Sequence, residues 1–201
     1  MGDPRHRLLF GASASEGSER SLASSLLTMD RAHATPEAIV AELFATLRVP
    51  VYRYLIAAFD NAKDAEDVTQ ETFLQLFRML RRGERVDHPR AWLFRVAHNL
   101  AVNQAVRGRF STALGEDAWL ALCAVQADPS PDPEQHTLAR ERLRLLERGM
   151  RQLSRQQRQC ALLRIEGLRY REIADVLGVT TSSVAETLRR ALRKLTRSLH
   201  E

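Results

Sequence analysis

Cysteine is scarce, with two residues in 201. Cys123 and Cys160 lack metal-ligand spacing, which predicts a reducing compartment and packing roles rather than a disulfide framework or a zinc site. Long apolar runs are missing as well. None approaches the roughly 20 residues needed to span a bilayer, and Leu8–Phe10 is too short for the apolar region of a secretion signal. A cytoplasmic protein with no membrane insertion is expected. Gly-rich phosphate loops and nucleophile motifs are lacking, and the histidines His6, His33, His88, His98, His136 and His200 are scattered, with no plausible metal pair among them. These absences argue against an enzyme and against a metal or other cofactor.

Lys and Arg are missing between Arg109 and Arg140, where Glu116, Asp117, Asp128, Asp132 and Glu134 fall. Three of the seven prolines crowd into Asp128–Pro133, which reads as a stiff, extended acidic linker over residues 109–135. Residues 1–34, rich in Ser, Ala and Gly, read as a disordered extension with a short helix around Leu22–Leu27, and Met29 is an alternative start. The net charge of +5 conceals an asymmetry. From Arg140 to Glu201 there are fifteen Lys or Arg against seven Asp or Glu, whereas residues 1–139 carry an excess of acids. A basic C-terminal module suggests a polyanionic partner, because neutralising phosphates supplies most non-specific affinity.

That module holds the clearest pattern. Ile173, Ala174 and Leu177 recur at helical spacing, Gly178 follows where a left-handed residue ends a helix, and Thr180–Ser183 can cap the next. Val184, Leu188, Ala191 and Leu195 then anchor a second helix. This is a helix-turn-helix pattern, which places the second helix where its first residues reach base edges in a major groove. Two further helices, over residues 138–151 and from Arg155 to Glu166, should precede it.

The first half also reads as helical. Thr35-Pro36 opens a helix with Ile39, Leu43 and Leu47 on its apolar stripe, and Pro50 should separate it from another carrying Val51, Tyr54, Leu55 and Ala58. A helix opening at Asp64 buries Phe73, Leu76, Phe77 and Leu80, leaving a separate stripe of Asp67, Glu71, Leu74 and Arg78 with Gln70 on its edge. That stripe is either a solvated face or a protein-docking ridge. A basic loop, Arg81–His88, leads to a helix starting at Pro89. Leu93, Val96, Ala97 and Leu100 should face inward, with Arg95, His98, Asn99 and Val102 on the other side. Basic residues interleaved with Trp92 and Phe94 suit single-stranded nucleic acid, although Trp92 can equally be core. The fold expected is all-α: a helical domain over 35–108, the linker, and a helix-turn-helix domain over 136–201.

Two signatures in order, DAEDVTQETF with WLFRVAHNLAVN and then EGLRYREIADVLGV with SVAETLRRALRKL, resemble bacterial RNA polymerase sigma factors of the extracytoplasmic-function (ECF) group. The resemblance covers about residues 36–108 and 136–199. It implies a protein that binds core RNA polymerase through the beta-prime clamp helices and the beta flap, recognises promoter DNA and helps open it, and has no enzymatic activity of its own. Asp67, Gln70, Glu71 and Leu74 would match the polymerase-docking ridge. The Arg81–His88 loop, with Arg81, Arg82 and Arg85, would capture a base extruded from the minus-ten element. Trp92, Arg95 and Asn99 would adjoin the melted strand. Arg171, Thr181, Ser182, Ser183, Glu186, Thr187 and Arg190 would bind the minus-thirty-five duplex. The acidic linker would run through polymerase towards the RNA exit path, although a merely solvated linker has the same composition. An anti-sigma factor is a common partner in this group.

The chain departs from the family where a Lys and an Arg often stand and it has Ala185 and Thr187, with Glu186 adding an acid, so base readout should differ. Asn103 replaces a frequent Asp and Ser154 a frequent Pro. The runner-up is a stand-alone helix-turn-helix repressor or activator, which would leave the acidic stripe and the Arg81–His88 loop without a task and usually needs paired half-sites.

Overall fold

In the computed structural model, residues 35–59, 62–106 and 148–198 are described, and all regular structure among them is helical. The extension 1–34, the linker 109–135 and most of the helix expected over 138–151 lie outside the described residues. The first half comprises α1 (Pro36–Phe59), α2 (Ala62–Arg81) and α3 (Pro89–Val106); the second comprises α4 (Arg155–Ile165), α5 (Tyr170–Leu177) and α6 (Thr181–Ser198).

α1 begins as its first residues dictate, with Thr35 Oγ1 accepting from the Ala38 amide at 3.3 Å. Pro50 does not divide it. The helix runs 24 residues through the proline, contrary to the sequence expectation. An internal proline costs about 3 kcal/mol or more, but Leu43 and Leu47 before it and Val51, Tyr54 and Leu55 after it are all buried in one core, and that burial holds a single axis. α2 starts at Ala62, two residues ahead of Asp64. Its buried Thr69 and Thr72 donate to the carbonyls of Ala65 and Val68 at 2.7 Å, so neither hydroxyl is left unsatisfied.

α3 departs furthest from expectation. Phe94 is fully buried rather than an exposed ring, and His98, expected on the outer side, is buried with Nδ1 2.7 Å from the Tyr54 hydroxyl. Tyr54 meets Phe94 and Phe59 edge-on at centroid separations of 5.5 and 6.5 Å. The cause is packing on two sides. α3 lies against α1 and α2 of its own half and against α5 of the other, so a single inward stripe does not describe it.

Local signals in the second half are realised closely. Ser154 caps α4 through a reciprocal capping box with Gln157, so two amides at the helix start are satisfied by side chains. Glu172 accepts from the Arg169 amide at 2.7 Å to open α5. Gly178 closes α5 at φ 65°, a left-handed conformation a side chain would strain. Thr180 Oγ1 accepts from the Ser183 amide at 3.2 Å to open α6. The halves share most of their buried surface, beside a smaller cluster of Met150, Leu153 and Ala191 that belongs to the second half alone. Leu43 through Ala101 in one, and Cys160, Leu163, Leu168, Ile173, Val184 and Leu188 in the other, form one contiguous buried cluster.

Candidate polymerase and nucleic-acid interfaces

The face of α2 that buries Ala65, Val68, Thr72, Phe73 and Leu76 fixes what its far side presents. With 100° per residue, Asp67, Gln70, Glu71 and Leu74 fall together on that opposite side. Asp67 and Gln70 are exposed, Glu71 is partly exposed, and Leu74 is 47% exposed although it is apolar. Glu71 is steadied by Arg78 at 3.0 Å and Gln75 at 3.3 Å. The result is an acidic ridge with an exposed leucine at its end, which intramolecular packing does not require.

The turn after α2 places Arg81, Arg82 and Arg85 in solvent. Gly83 takes φ 79° to reverse the chain. The Arg81 guanidinium lies 5.7 Å from the Phe77 ring centroid, and Arg82 pairs with Glu84 at 2.7 Å. Beneath the turn lies a groove of about 450 Å³, apolar where Ile39, Leu43, Leu76 and Leu80 line it and polar at Glu84 and Arg85. Along α3, Arg95 and Asn99 are exposed one turn apart, with Trp92 half-buried against the core a turn earlier. The structure thus brings Trp92, Arg95 and Asn99 to one side of α3 and removes Phe94 and His98 from it.

In the second half, Thr181, Ser182 and Ser183 are exposed in the first turn of α6, and Arg171 is exposed on α5. Thr180 holds the Ser182 and Ser183 hydroxyls at 3.0 and 2.8 Å. Val184, Leu188 and Ala191 are buried, so Glu186, Thr187 and Arg190 look outward from the same helix. Glu186 is the centre of an arginine cluster, with Arg189 at 2.7 Å, Arg190 at 2.8 Å and Arg193 at 4.0 Å. The hydrogen bond from Arg190, with the charges of all three arginines, holds its carboxyl below the usual carboxylate range. Arg189 and Arg193 were not among the residues singled out from the sequence, although their spacings of three and seven from Glu186 were a readable signal.

No group of His, Cys, Asp and Glu among the described residues could hold a metal ion, and no described helix is long and apolar enough to cross a membrane.

Comparison with known proteins agrees with this layout. The family model "Sigma-70 region 2" matches residues 43–110, which contain the α2 ridge and the α3 face. The model "Sigma-70, region 4" matches residues 143–195, which contain the helix-turn-helix. The ferric citrate uptake sigma factor FecI of Escherichia coli is 30% identical over 165 residues, covering 81% of this chain and 92% of that protein. The ECF RNA polymerase sigma factor SigL of Mycobacterium tuberculosis is 30% identical over 179 residues, covering 85% and 94%. Among solved structures, the fold is shared with the sigma factor RpoE bound to the anti-sigma factor NepR from Bartonella quintana, at TM-score 0.55 and 22% identity over 80% of this chain and 95% of that one. It is also shared with CnrH bound to the cytosolic domain of CnrY, at TM-score 0.52 and 24% identity over 80% and 87%. The chain belongs to the ECF sigma factors, which direct RNA polymerase to promoters.

Proposed function

We propose that this sigma factor divides its work among three surfaces: the Asp67–Leu74 ridge docks on core polymerase, the α3 face and its preceding turn hold opened minus-ten DNA, and α6 reads the minus-thirty-five duplex. The observation that carries this reading is the order of charge along the chain: the carboxylates of exposed Asp67 and partly exposed Glu71 lie in the first half of α2, and the exposed Arg81, Arg82, Arg85 and Arg95 lie at its end and beyond. A carboxylate-bearing surface repels DNA and suits a basic protein surface, whereas Arg81, Arg82, Arg85 and Arg95 suit phosphates. Asp67, Gln70, Glu71 and Leu74 would meet the beta-prime clamp helices, and the C-terminal half would meet the beta flap. The acidic linker over 109–135 would follow the path to the RNA exit channel. The chain acts by binding alone, without a catalytic group or cofactor, in the cytoplasm where polymerase and promoter are found. An anti-sigma factor is a further expected partner, in keeping with the two solved complexes of similar fold.

Opening needs only that unpaired strand be bound better than duplex. Extruding and unstacking a base costs a few kcal/mol. The groove under Gly83–Val86 has room for a nucleobase, and Arg95, Asn99 and the exposed edge of Trp92 offer backbone charge, hydrogen bonds and a ring. The test is permanganate reactivity of promoter thymines in the presence of core polymerase. Arg95→Ala with Asn99→Ala should lower strand opening about thirtyfold, since two lost contacts on the order of 1 kcal/mol each come to about 2 kcal/mol at about 1.4 kcal/mol per tenfold, while minus-thirty-five duplex binding is kept. Unchanged opening would remove the α3 face from the reading.

Duplex recognition yields a second expectation. Arg190→Ala should weaken minus-thirty-five binding about tenfold and reduce the salt slope by about one, as loss of a phosphate or base contact does. Glu186→Ala should change base preference more than affinity, because it frees Arg189 and Arg190 while removing an acceptor for a cytosine amino group. Binding to a randomised element reads both outcomes. An unaltered preference would exclude Glu186 from readout.

A further inference from the structure

Glu166 ties the two halves together by charge. Glu166, at the end of α4, is 9% exposed, and both of its carboxylate oxygens are taken by the other half. Arg53 Nη2 of α1 lies 2.8 Å from Oε1, and Arg90 Nη2 of α3 lies 3.1 Å from Oε2. Arg90 Nε also donates to the Glu166 carbonyl at 2.7 Å. A carboxylate so sheltered is screened little by salt. Around this clasp the contact is apolar: α1 packs on α4 and α3 on α5, and the Arg155 guanidinium sits 4.8 Å from the Phe59 ring centroid.

This closed arrangement conflicts with reading two elements at once. Minus-ten and minus-thirty-five positions lie about 25 base pairs apart, or about 85 Å along duplex at about 3.4 Å per pair. Each half is built on helices no longer than 24 residues, at most about 36 Å, and the halves touch. Promoter engagement at both elements therefore requires them to part, and what must break is the Arg53–Glu166–Arg90 clasp together with its apolar surround.

We propose that Glu166 is the latch of a closed, self-restrained state, and that core polymerase binds the opened chain. The proposal rests on the sigma-factor reading for its partner and for the need to open, whereas the clasp itself rests on the contacts of Glu166 with Arg53 and Arg90. A chain that is mostly closed binds polymerase with an affinity reduced by its open fraction, so loosening the latch should raise apparent affinity. A residue that merely stabilised the fold would lower it.

Cys160 reports the closure, because it is fully buried on α4, the helix that packs against α1. With Cys123→Ser introduced, Cys160 is the sole thiol of the full-length chain, and its reaction with a maleimide can be timed. Glu166→Gln should speed modification at least tenfold while the cooperative melt and helical circular dichroism persist. Arg53→Gln, which attacks the clasp from the other half, should do the same. Both variants should bind core polymerase severalfold more tightly than the parent. Equal protection of Cys160 in parent and variants would overturn the latch, as would faster labelling without tighter polymerase binding. Failure of the parent to bind core polymerase at all would contradict the sigma-factor partner while leaving the labelling result to decide the latch.

Discussion

Glu71→Lys combined with Leu74→Ala should lower affinity for core polymerase about a hundredfold and leave the fold intact. Leu74 is 47% exposed and Glu71 partly exposed, so neither change opens a cavity or buries a new charge. Truncating a hydrophobic anchor at an interface costs about 1–2 kcal/mol, and setting like charges together adds at least as much, which at 1.4 kcal/mol per tenfold gives about a hundredfold. Surface substitutions of this kind shift stability by about 0.5 kcal/mol or less. The binding measurement is therefore paired with a thermal melt. Wild-type affinity in the double variant would end the docking assignment; lost affinity with an unchanged melt would support it.

The largest pH effect should come from His98. Burial, with a smaller contribution from the Arg155 charge, lowers its pKa from the ordinary 6.5 to about 4. The imidazole is thus neutral in the fold, beside the Tyr54 hydroxyl at 2.7 Å. Because the folded pKa lies below the unfolded one, the unfolded chain takes up the proton first as pH falls. The stabilisation is complete above about pH 6.5 and is lost between 6.5 and 4, at about 1.4 kcal/mol per pH unit and about 3 kcal/mol in all. Denaturant melts from pH 7.5 to 4.5 should show this loss. His98→Gln retains an acceptor for Tyr54 and does not titrate, so parent and variant should differ least above about pH 6.5, and the parent should lose about 3 kcal/mol relative to the variant as pH falls towards 4. Parallel curves would show that His98 does not carry the effect.

What was legible in the sequence was local. Gly178 and Thr180–Ser183 marked the turn because a left-handed residue and a hydroxyl cap are decided within a few residues. The α2 ridge was legible because that helix is buried on one side only, so periodicity alone separates Leu74 from Phe73. α3 was misread for the opposite reason. With α1 and α2 on one side and α5 on another, burial of Phe94 and His98 depends on a half of the chain that the α3 sequence does not contain. Pro50 was misread because proline chemistry is local and the packing that overrides it is not. The clasp was invisible for the same cause. Arg53 and Glu166 are 113 residues apart, and nothing in either neighbourhood specifies the other.

The roles proposed for the three surfaces converge on one reaction, initiation at a chosen promoter. The decisive measurement is transcription by core polymerase across a promoter library, with and without this protein, read together with permanganate mapping of unpaired thymines. Transcripts from a defined subset of promoters, each opened at its minus-ten element only when the protein is present, are the expected result. Duplex binding by the protein alone, with neither transcripts nor opening on addition of core polymerase, would contradict it and favour a stand-alone regulator.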